Sequence, residues 1–328
     1  MKRQIDILSV IGVLCVLATV LTACGQTATE APSVEDETPE KTKVAILFPG
    51  VVTDKSWCQA GYEGLVEAQS ECDLEIAYSE EVAQDEHEET FRNYATEGYD
   101  VIIGHGGEFY DAAHTVAADF PEIQFSITNA VTAEGNLSTI KMSKRQMGYL
   151  AGALACEMTQ SGKIALVYAQ DNPSNQEGFE GYEAGGKSCG KDVEVLVVAT
   201  GSWTDVAKAR EATLALISDG VDVLWQILDS ADVGVFSAAE DHPGVWSIGT
   251  YYDQTDLAPT SAIGNVLGSP SKMVFEQACG NVLDGTVHFL DVTNGIDISM
   301  TDLTPEDVQG RINDLKAKMV SGEVVVEP

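Results

Sequence analysis

Short apolar runs alternate with longer amphipathic segments along most of the chain, and this alternation predicts an α/β fold. The apolar runs are rich in β-branched residues, as expected of strands that are covered on both faces. The segments between them repeat apolar residues at helical spacing. Because strands and helices alternate, we expect parallel sheets with right-handed crossovers. The predicted strands are residues 43–48, 74–78, 99–103, 124–128, 164–168, 193–199, 221–227, 244–249, 261–266 and, less regularly, 287–293.

The stretch 201–230 shows where a ligand would bind in such a fold. It predicts a helix capped by Thr204 or Asp205, followed by a buried strand. Trp203 lies just past the end of one predicted strand, and Asp229 lies just past the end of the next. Ligands of parallel sheets bind beyond the carboxyl ends of the strands. We therefore expect one crevice to hold both side chains.

The strand–helix units fall into two sets, which predict two Rossmann-like lobes. The first lobe is expected at residues 43–130 and the second at residues 131–255. The rest of the chain is too short for a third domain. We expect about residues 260–290 to complete the first lobe and part of residues 291–328 to complete the second.

The N-terminus has the pattern of an exported lipoprotein. Residues 1–23 begin with Lys2 and Arg3 and continue with an apolar run that is short for a membrane span. The run ends in Leu21-Thr22-Ala23-Cys24, which resembles a bacterial lipobox. We expect a signal peptide, a lipidated Cys24 that anchors the protein outside the cytoplasm, and a flexible polar tether at residues 24–42. An uncleaved anchor helix and an ordinary signal peptide are the alternatives.

Composition narrows the functional classes. The net charge is −34, from 18 basic and 52 acidic residues, which argues against nucleic acid as a partner. The sequence has no GxGxxG after its first strand, no GxxxxGK[ST] and no GxSxG, and its five histidines are scattered. We therefore expect no enzyme, no catalytic residues and no cofactor.

The cysteines beyond the lipobox do not predict a metal site. Five remain, an odd number without a CxxC pair, and we expect most of them to be small buried hydrophobic residues. A disulfide is compatible with a location outside the cytoplasm, although the pairing cannot be deduced from sequence. They are Cys58, Cys72, Cys156, Cys189 and Cys279.

Several short motifs, in this order and behind a lipobox, resemble those of one family. The pattern is similar to that of type I periplasmic binding proteins, and more narrowly of the basic membrane protein family of lipoproteins. These are substrate-binding subunits of ABC importers for purine nucleosides or bases. The motifs are Thr53-Asp54-Lys55-Ser56-Trp57, Phe120-Pro121-Glu122, Tyr149-Leu150-Ala151-Gly152, Gly201-Ser202-Trp203, Gly220-Val221-Asp222 and Asp253-Gln254.

The resemblance implies a purine ring held between two aromatic side chains, which map onto Trp57 and Trp203. Polar or aromatic side chains at the strand ends would complete the site. The alternative for each tryptophan is packing in the core, and for each aspartate a helix cap or turn. The remaining candidate ligand-binding residues are Asp229, Asn129, Asp253, Tyr251, Phe109 and Asp111.

Departures from the family pattern change the expected ligand. Nucleoside-binding members tend to have Asn at Cys58, and Asp at Asn129 and at Tyr251. An expected Lys is replaced by Gly264. These losses favour a free purine base or a similar flat heteroaromatic compound, with a nucleoside second. A ligand-sensing receptor of the same fold and a sugar-binding protein are the alternatives.

The resemblance also implies a mechanism. The lobes would close on the ligand about a hinge, and the closed form would dock on an ABC permease that works with an ATPase. We expect the hinge crossovers near residues 130–136 and 251–259, with a third in the C-terminal part. The binding protein itself is expected to be a monomer.

Overall fold

The computed structural model describes residues 41–53 and 57–328. The predicted signal peptide, Cys24 and nearly all of the predicted tether therefore lie outside the described residues, as do Asp54–Ser56. The strands are β1 Lys43–Leu47, β2 Glu75–Ser79, β3 Val101–Gly104, β4 Gln124–Thr128, β5 Leu137–Met142, β6 Lys163–Tyr168, β7 Glu194–Ala199, β8 Val223–Ile227, β9 Trp246–Tyr251, β10 Ala262–Leu267, β11 Val287–Leu290 and β12 Asp297–Met300.

Helices follow most of these strands, as the alternating pattern predicts. None of those in the described ranges is long and apolar enough to cross a bilayer. Short 3₁₀ turns occupy Gln84–Glu86, Gly107–Phe109 and Thr255–Leu257. The α-helices are α1 Trp57–Glu71, α2 His87–Thr96, α3 Tyr110–Ala117, α4 Lys144–Met158, α5 Pro173–Gly186, α6 Val206–Ser218, α7 Asp232–Glu240, α8 Pro270–Ala278 and α9 Glu306–Ser321.

The strands form two six-stranded sheets within the described residues, one for each lobe. The first sheet has the order β11-β5-β4-β3-β1-β2 and the second β12-β10-β9-β8-β6-β7. Their ladders are parallel, except that β12 pairs antiparallel with β10. The predicted α/β fold with two Rossmann-like lobes is confirmed.

The lobe boundaries differ from those predicted. Strand β5 belongs to the first sheet, because it pairs with β4 from Phe125 opposite Leu137 onward. The residues before it turn back within the same lobe, where Asn136 donates hydrogen bonds to the carbonyls of Phe120 and Ile123. Strand β10 belongs to the second sheet, because it pairs with β9. Placing residues 131–142 in the second lobe and residues 262–267 in the first was wrong.

The crossovers between the lobes therefore also lie at other residues than predicted. The chain crosses between the lobes at Ser143, at Gly268–Ser269 and between β11 and β12, rather than near residues 130–136 and 251–259. The three crossovers lie side by side. The Ser143 amide donates to the Leu290 carbonyl at 2.9 Å, and a Cβ added to Gly268 would lie 2.7 Å from the Met142 sulfur. Three adjacent crossovers form one short hinge.

Glycines hold α4 tightly against α5 in the second lobe. A Cβ at Gly148 or Gly152 of α4 would lie 2.1 or 2.2 Å from a carbonyl oxygen of α5. The same holds in reverse for Gly181 and Gly185 of α5, whose added Cβ atoms would meet carbonyls of α4 at 2.0 and 2.1 Å. This backbone-to-backbone contact fixes the first turn of α4, which follows directly after the hinge.

Four of the five cysteines in residues 41–53 and 57–328 form disulfides, so the expectation that most of them are simply small buried hydrophobic residues was wrong. Cys72 pairs with Cys279 in the first lobe, and Cys156 pairs with Cys189 in the second. The fifth, Cys58, is buried and belongs to neither bridge. Each bridge lies within one lobe, so neither restrains the hinge.

Removing either disulfide should lower the free energy of unfolding. The bridges close segments of 207 and 33 residues. The chain-entropy model therefore predicts a loss of about 5 kcal/mol for the Cys72→Ser/Cys279→Ser pair and about 4 kcal/mol for the Cys156→Ser/Cys189→Ser pair. Urea denaturation measures both, with Cys58→Ala as the control that removes a thiol but no bridge. Double variants as stable as the parent chain would contradict this assignment.

Candidate functional site

The carboxyl ends of the two sheets face each other across the hinge. Trp57 follows the loop after β1 in the first lobe, and Tyr251 ends β9 in the second. Their ring centroids are 6.1 Å apart with the planes tilted by 51°. Trp57 packs partly buried against the core clusters of both lobes. Since ligands of parallel sheets bind beyond the carboxyl strand ends, this edge is the candidate site.

His105, at the end of β3, supports the Trp57 indole from behind. The imidazole stacks on the indole with centroids 4.4 Å apart and planes 16° apart. The indole Nε1 donates to the His105 carbonyl at 3.1 Å, and the His105 Nε2 lies 2.9 Å from the Trp57 carbonyl. Gly61 leaves room for the imidazole, because a Cβ there would lie 2.5 Å from Nε2. One face of Trp57 is thus covered by His105, and the Tyr251 ring of the second lobe lies near the same indole.

Tyr251 holds an unusual position at the hinge. Its backbone has φ of 70°, a left-handed conformation that costs free energy for a residue with a large side chain. Its carbonyl accepts a hydrogen bond from Gly268 at 3.2 Å, which ties it to the second crossover. Lys144, the first residue of α4, donates to the Tyr251 hydroxyl, and its Nζ lies 4.0 Å from the ring centroid.

Lys144 is a buried cation beside this ring. Only 2% of the residue is exposed. Burial lowers the pKa of Lys144 to about 7, and the negative charge of Glu177 partly offsets that effect. The ammonium form is therefore costly here unless further negative charge lies nearby.

Asn129 follows the end of β4 and lies beside the end of β5, which leads into the first crossover. It has φ of 59°, and its Oδ1 accepts a hydrogen bond from the Met142 amide at 3.3 Å. The side chain thereby joins the ends of β4 and β5. In the described conformation Asn129 is a hinge contact at the edge of the candidate site.

Trp203 and Asp229 lie together, as their strand-end positions predict. The Trp203 carbonyl accepts hydrogen bonds from the amides of Asp229 and Ala231 at 3.2 and 3.0 Å. The Trp203 ring is half-buried against the two core clusters of the second lobe. The loops after β7 and β8 therefore lie side by side at the carboxyl edge of the second sheet, which is the ligand-facing edge of this lobe in the candidate site.

A buried polar network lies directly behind these loops. Gln226 of β8 donates to Gln254 Oε1 at 3.1 Å, and Gln254 donates in turn to Asp232. The Thr250 amide also donates to Gln254 Oε1, at 2.9 Å. Burial raises the pKa of Asp232 to about 6, and the charge of Asp229 acts in the same direction. The network orders the loops on either side of Asp229.

Three of the predicted site residues do other work in this structure. Phe109 has no exposed surface and packs on His87 and Phe91 in the core of the first lobe. Asp111 is exposed in the first turn of α3. Asp253 accepts hydrogen bonds from Thr255 and Asn265, which lower the pKa of its carboxyl and stabilise a local turn. In this structure Phe109 is therefore a core residue, whereas ligand contacts of Asp111 and Asp253 stay predictions.

Other residues at this edge were missed or left as structural by sequence reasoning. His105 is one of the five scattered histidines, and Lys144 belongs to none of the motifs that the sequence analysis names. A lysine at the first position of a helix rich in glycine and alanine is a usable signal, because a cation is unfavourable at a helix N-terminus. No group of His, Cys, Asp and Glu in residues 41–53 and 57–328 has the arrangement of a metal site.

Asp232→Asn should change how stability depends on pH. Burial raises the pKa of the Asp232 carboxyl from its ordinary value of 3.8 to about 6 in the folded protein, so the folded state loses stability as the pH rises through that window. Removing the charge should stabilise the protein by about 3 kcal/mol at neutral pH and by little near pH 4. Urea denaturation of both proteins at several pH values measures the difference. A difference that stays constant with pH would contradict the buried, raised pKa.

Comparisons with known proteins show which sequences and structures this chain resembles. The chain is 27% identical to the transcriptional activator protein Med of Bacillus subtilis, over 89% of this chain and 90% of Med. It is 24% identical to the nucleoside-binding protein BmpA of Lactococcus lactis, over 99% of both chains. It is 27% identical to a purine-binding protein of Brucella abortus, over 87% of this chain and 83% of that one.

Solved structures with a similar fold include other proteins of ABC transporters. A solute-binding protein of an ABC transporter from Aeropyrum pernix superposes with a TM-score of 0.75 at 20% identity, covering 87% of this chain and 93% of that one. This confirms the type I periplasmic binding protein fold. The Bmp family of PnrA-like ABC transporter substrate-binding proteins matches residues 41–327. The chain therefore belongs to the Bmp family of ABC transporter substrate-binding proteins, which are not enzymes.

Proposed function

We propose that this substrate-binding protein holds a flat heteroaromatic ligand, a purine base or else a nucleoside, between its two lobes. The observation that carries the proposal is the position of Trp57. Its indole is stacked on His105 on one side, and the Tyr251 ring of the second lobe lies near it. An aromatic face held in this way is a stacking platform for a heteroaromatic ring.

The second lobe supplies the other contacts. Trp203 stands on a loop that the Asp229 and Ala231 amides hold in place, and Asp229 stands beside it. We assign Trp203 to the opposite face of the ring and Asp229 to a polar edge. Relatives named for nucleoside and purine binding support this ligand class.

Closure about the hinge would bring these contacts together. The three crossovers are short and adjacent, and each disulfide stays within one lobe, so the lobes can rotate as units. A ligand that contacts both lobes binds the closed form better and shifts the population toward it. The closed monomer would then deliver the ligand to an ABC permease and its ATPase. Family membership places the protein outside the cytoplasm, and we propose a lipid on Cys24 as its membrane anchor.

A sensor role is the second candidate. The likeness to Med, which is named as a transcriptional activator, favours it. The same lobe closure would then be detected by a regulatory partner rather than a permease. An adjacent permease and ATPase gene would favour the transport role.

Titration calorimetry of the full chain tests the ligand class. We expect purine bases or nucleosides to bind and sugars and amino acids not to bind. Trp57→Ala and Trp203→Ala should each weaken binding by about 1–3 kcal/mol, or about 5- to 150-fold in Kd, because each removes one stacking face.

Trp246→Ala is the matched control. Trp246 is also half-buried in the second lobe, but it begins β9 at the opposite end from the ligand-facing edge. We expect it to leave Kd unchanged. Unchanged purine affinity in both site variants would refute the stacking site, and binding of sugars alone would refute the ligand class.

A further inference from the structure

We propose that Lys144 and Tyr251 form a donor pair at the hinge end of the crevice that selects ligands carrying an anionic oxygen. The ligand class becomes an acidic heteroaromatic compound, such as an oxopurine anion or an aromatic carboxylate. This inference rests on the proposed function, because it assumes that the crevice beside Trp57 is the binding site.

The hydrogen bond between the two residues sets the direction of the tyrosine proton. In its ammonium form Lys144 has only donors, so in that form the Tyr251 oxygen accepts from it. A hydroxyl that accepts from an ammonium group keeps its own proton for a second acceptor. Tyr251 is half-buried and its ring faces Trp57, so that proton is available to a ligand on the free side of the indole.

The surrounding charge favours an anion there. The negative charge that reaches Lys144 is that of Glu177, yet both Glu177 oxygens already accept hydrogen bonds from Lys141 at 2.9 and 2.8 Å. Two buried ammonium groups therefore share one carboxylate. This local excess of positive charge is found in a chain whose net charge is −34. A ligand anion would supply the missing negative charge.

Structural stability does not account for this arrangement. Lys144 is the first residue of α4, whose first turn has no acidic residue, so the helix dipole also disfavours its charge. The neighbouring Arg145, by contrast, is half-exposed and pairs with Glu180 at the surface. Lys144 is buried at the hinge, and its Nζ contacts a half-buried tyrosine. In this position it can attract an anionic group of a ligand that enters the crevice.

Pairs of ligands with the same ring system and different charge test the inference. Calorimetry of the full chain at pH 7 compares urate with hypoxanthine and nicotinate with nicotinamide; the first of each pair is an anion and the second is neutral. We expect the anion of at least one pair to bind about tenfold tighter or more, as for a hydrogen bond to a charged group.

Variants then assign the preference to these residues. Lys144→Met should abolish the preference for the anion, and Tyr251→Phe should reduce it while keeping the lysine. Lys187→Met removes the same charge from an exposed site at the C-cap of α5 and should leave the preference intact. Thermal melting of each variant confirms that it is folded.

The outcomes separate this inference from the proposed function. Neutral purines that bind as well as urate, with affinities that Lys144→Met and Tyr251→Phe leave unchanged, would overturn the inference and leave the purine site standing. Preference for nicotinate without binding of any purine would support the donor pair and refute the purine. Binding of none of the four compounds, or a preference that persists in Lys144→Met, would overturn the inference.

Discussion

The contact of the Trp57 indole with both lobes is the interaction on which the site depends. His105 fixes one face of the ring and the indole nitrogen, so the first lobe decides where the ring stands. Tyr251 of the second lobe lies near the same ring. Because the two contacts come from different sheets, the space beside Trp57 changes whenever the lobes rotate. Under the proposed function, ligand binding and lobe closure would be linked through this one side chain.

The short hinge positions Lys144 and Tyr251. The end of β5 leads through Ser143 into Lys144, and the second crossover holds the Tyr251 backbone through Gly268. The pair that we assign to ligand selection therefore stands on the hinge itself, whereas Trp203 and Asp229 stand on loops of the second lobe. Tight packing of α4 on α5 prevents Lys144 from moving independently of that lobe. A ligand that contacts both groups would tie the hinge to the crevice.

Sequence reasoning located the strands and the proximity of Trp203 to Asp229 because both follow from local patterns. The strand at 124–128 is found at those residues, and Asp205 caps α6 through the Lys208 amide. The sheet to which each strand belongs could not be predicted in the same way. The sequences of β5 and β10 are compatible with either lobe, and only the hydrogen-bonded pairing of the strands assigns them. The core position of Phe109 could not be predicted for a similar reason: a position near a strand end does not tell whether a side chain contacts the core, a turn or the crevice.

A crystal structure of the chain with its tightest-binding purine would test the central claim most directly. The account predicts that the purine ring lies flat on the Trp57 face opposite His105, between the lobes and within hydrogen-bond distance of the Tyr251 hydroxyl. A ligand bound elsewhere, with Trp57 packed as in the ligand-free chain, would contradict it.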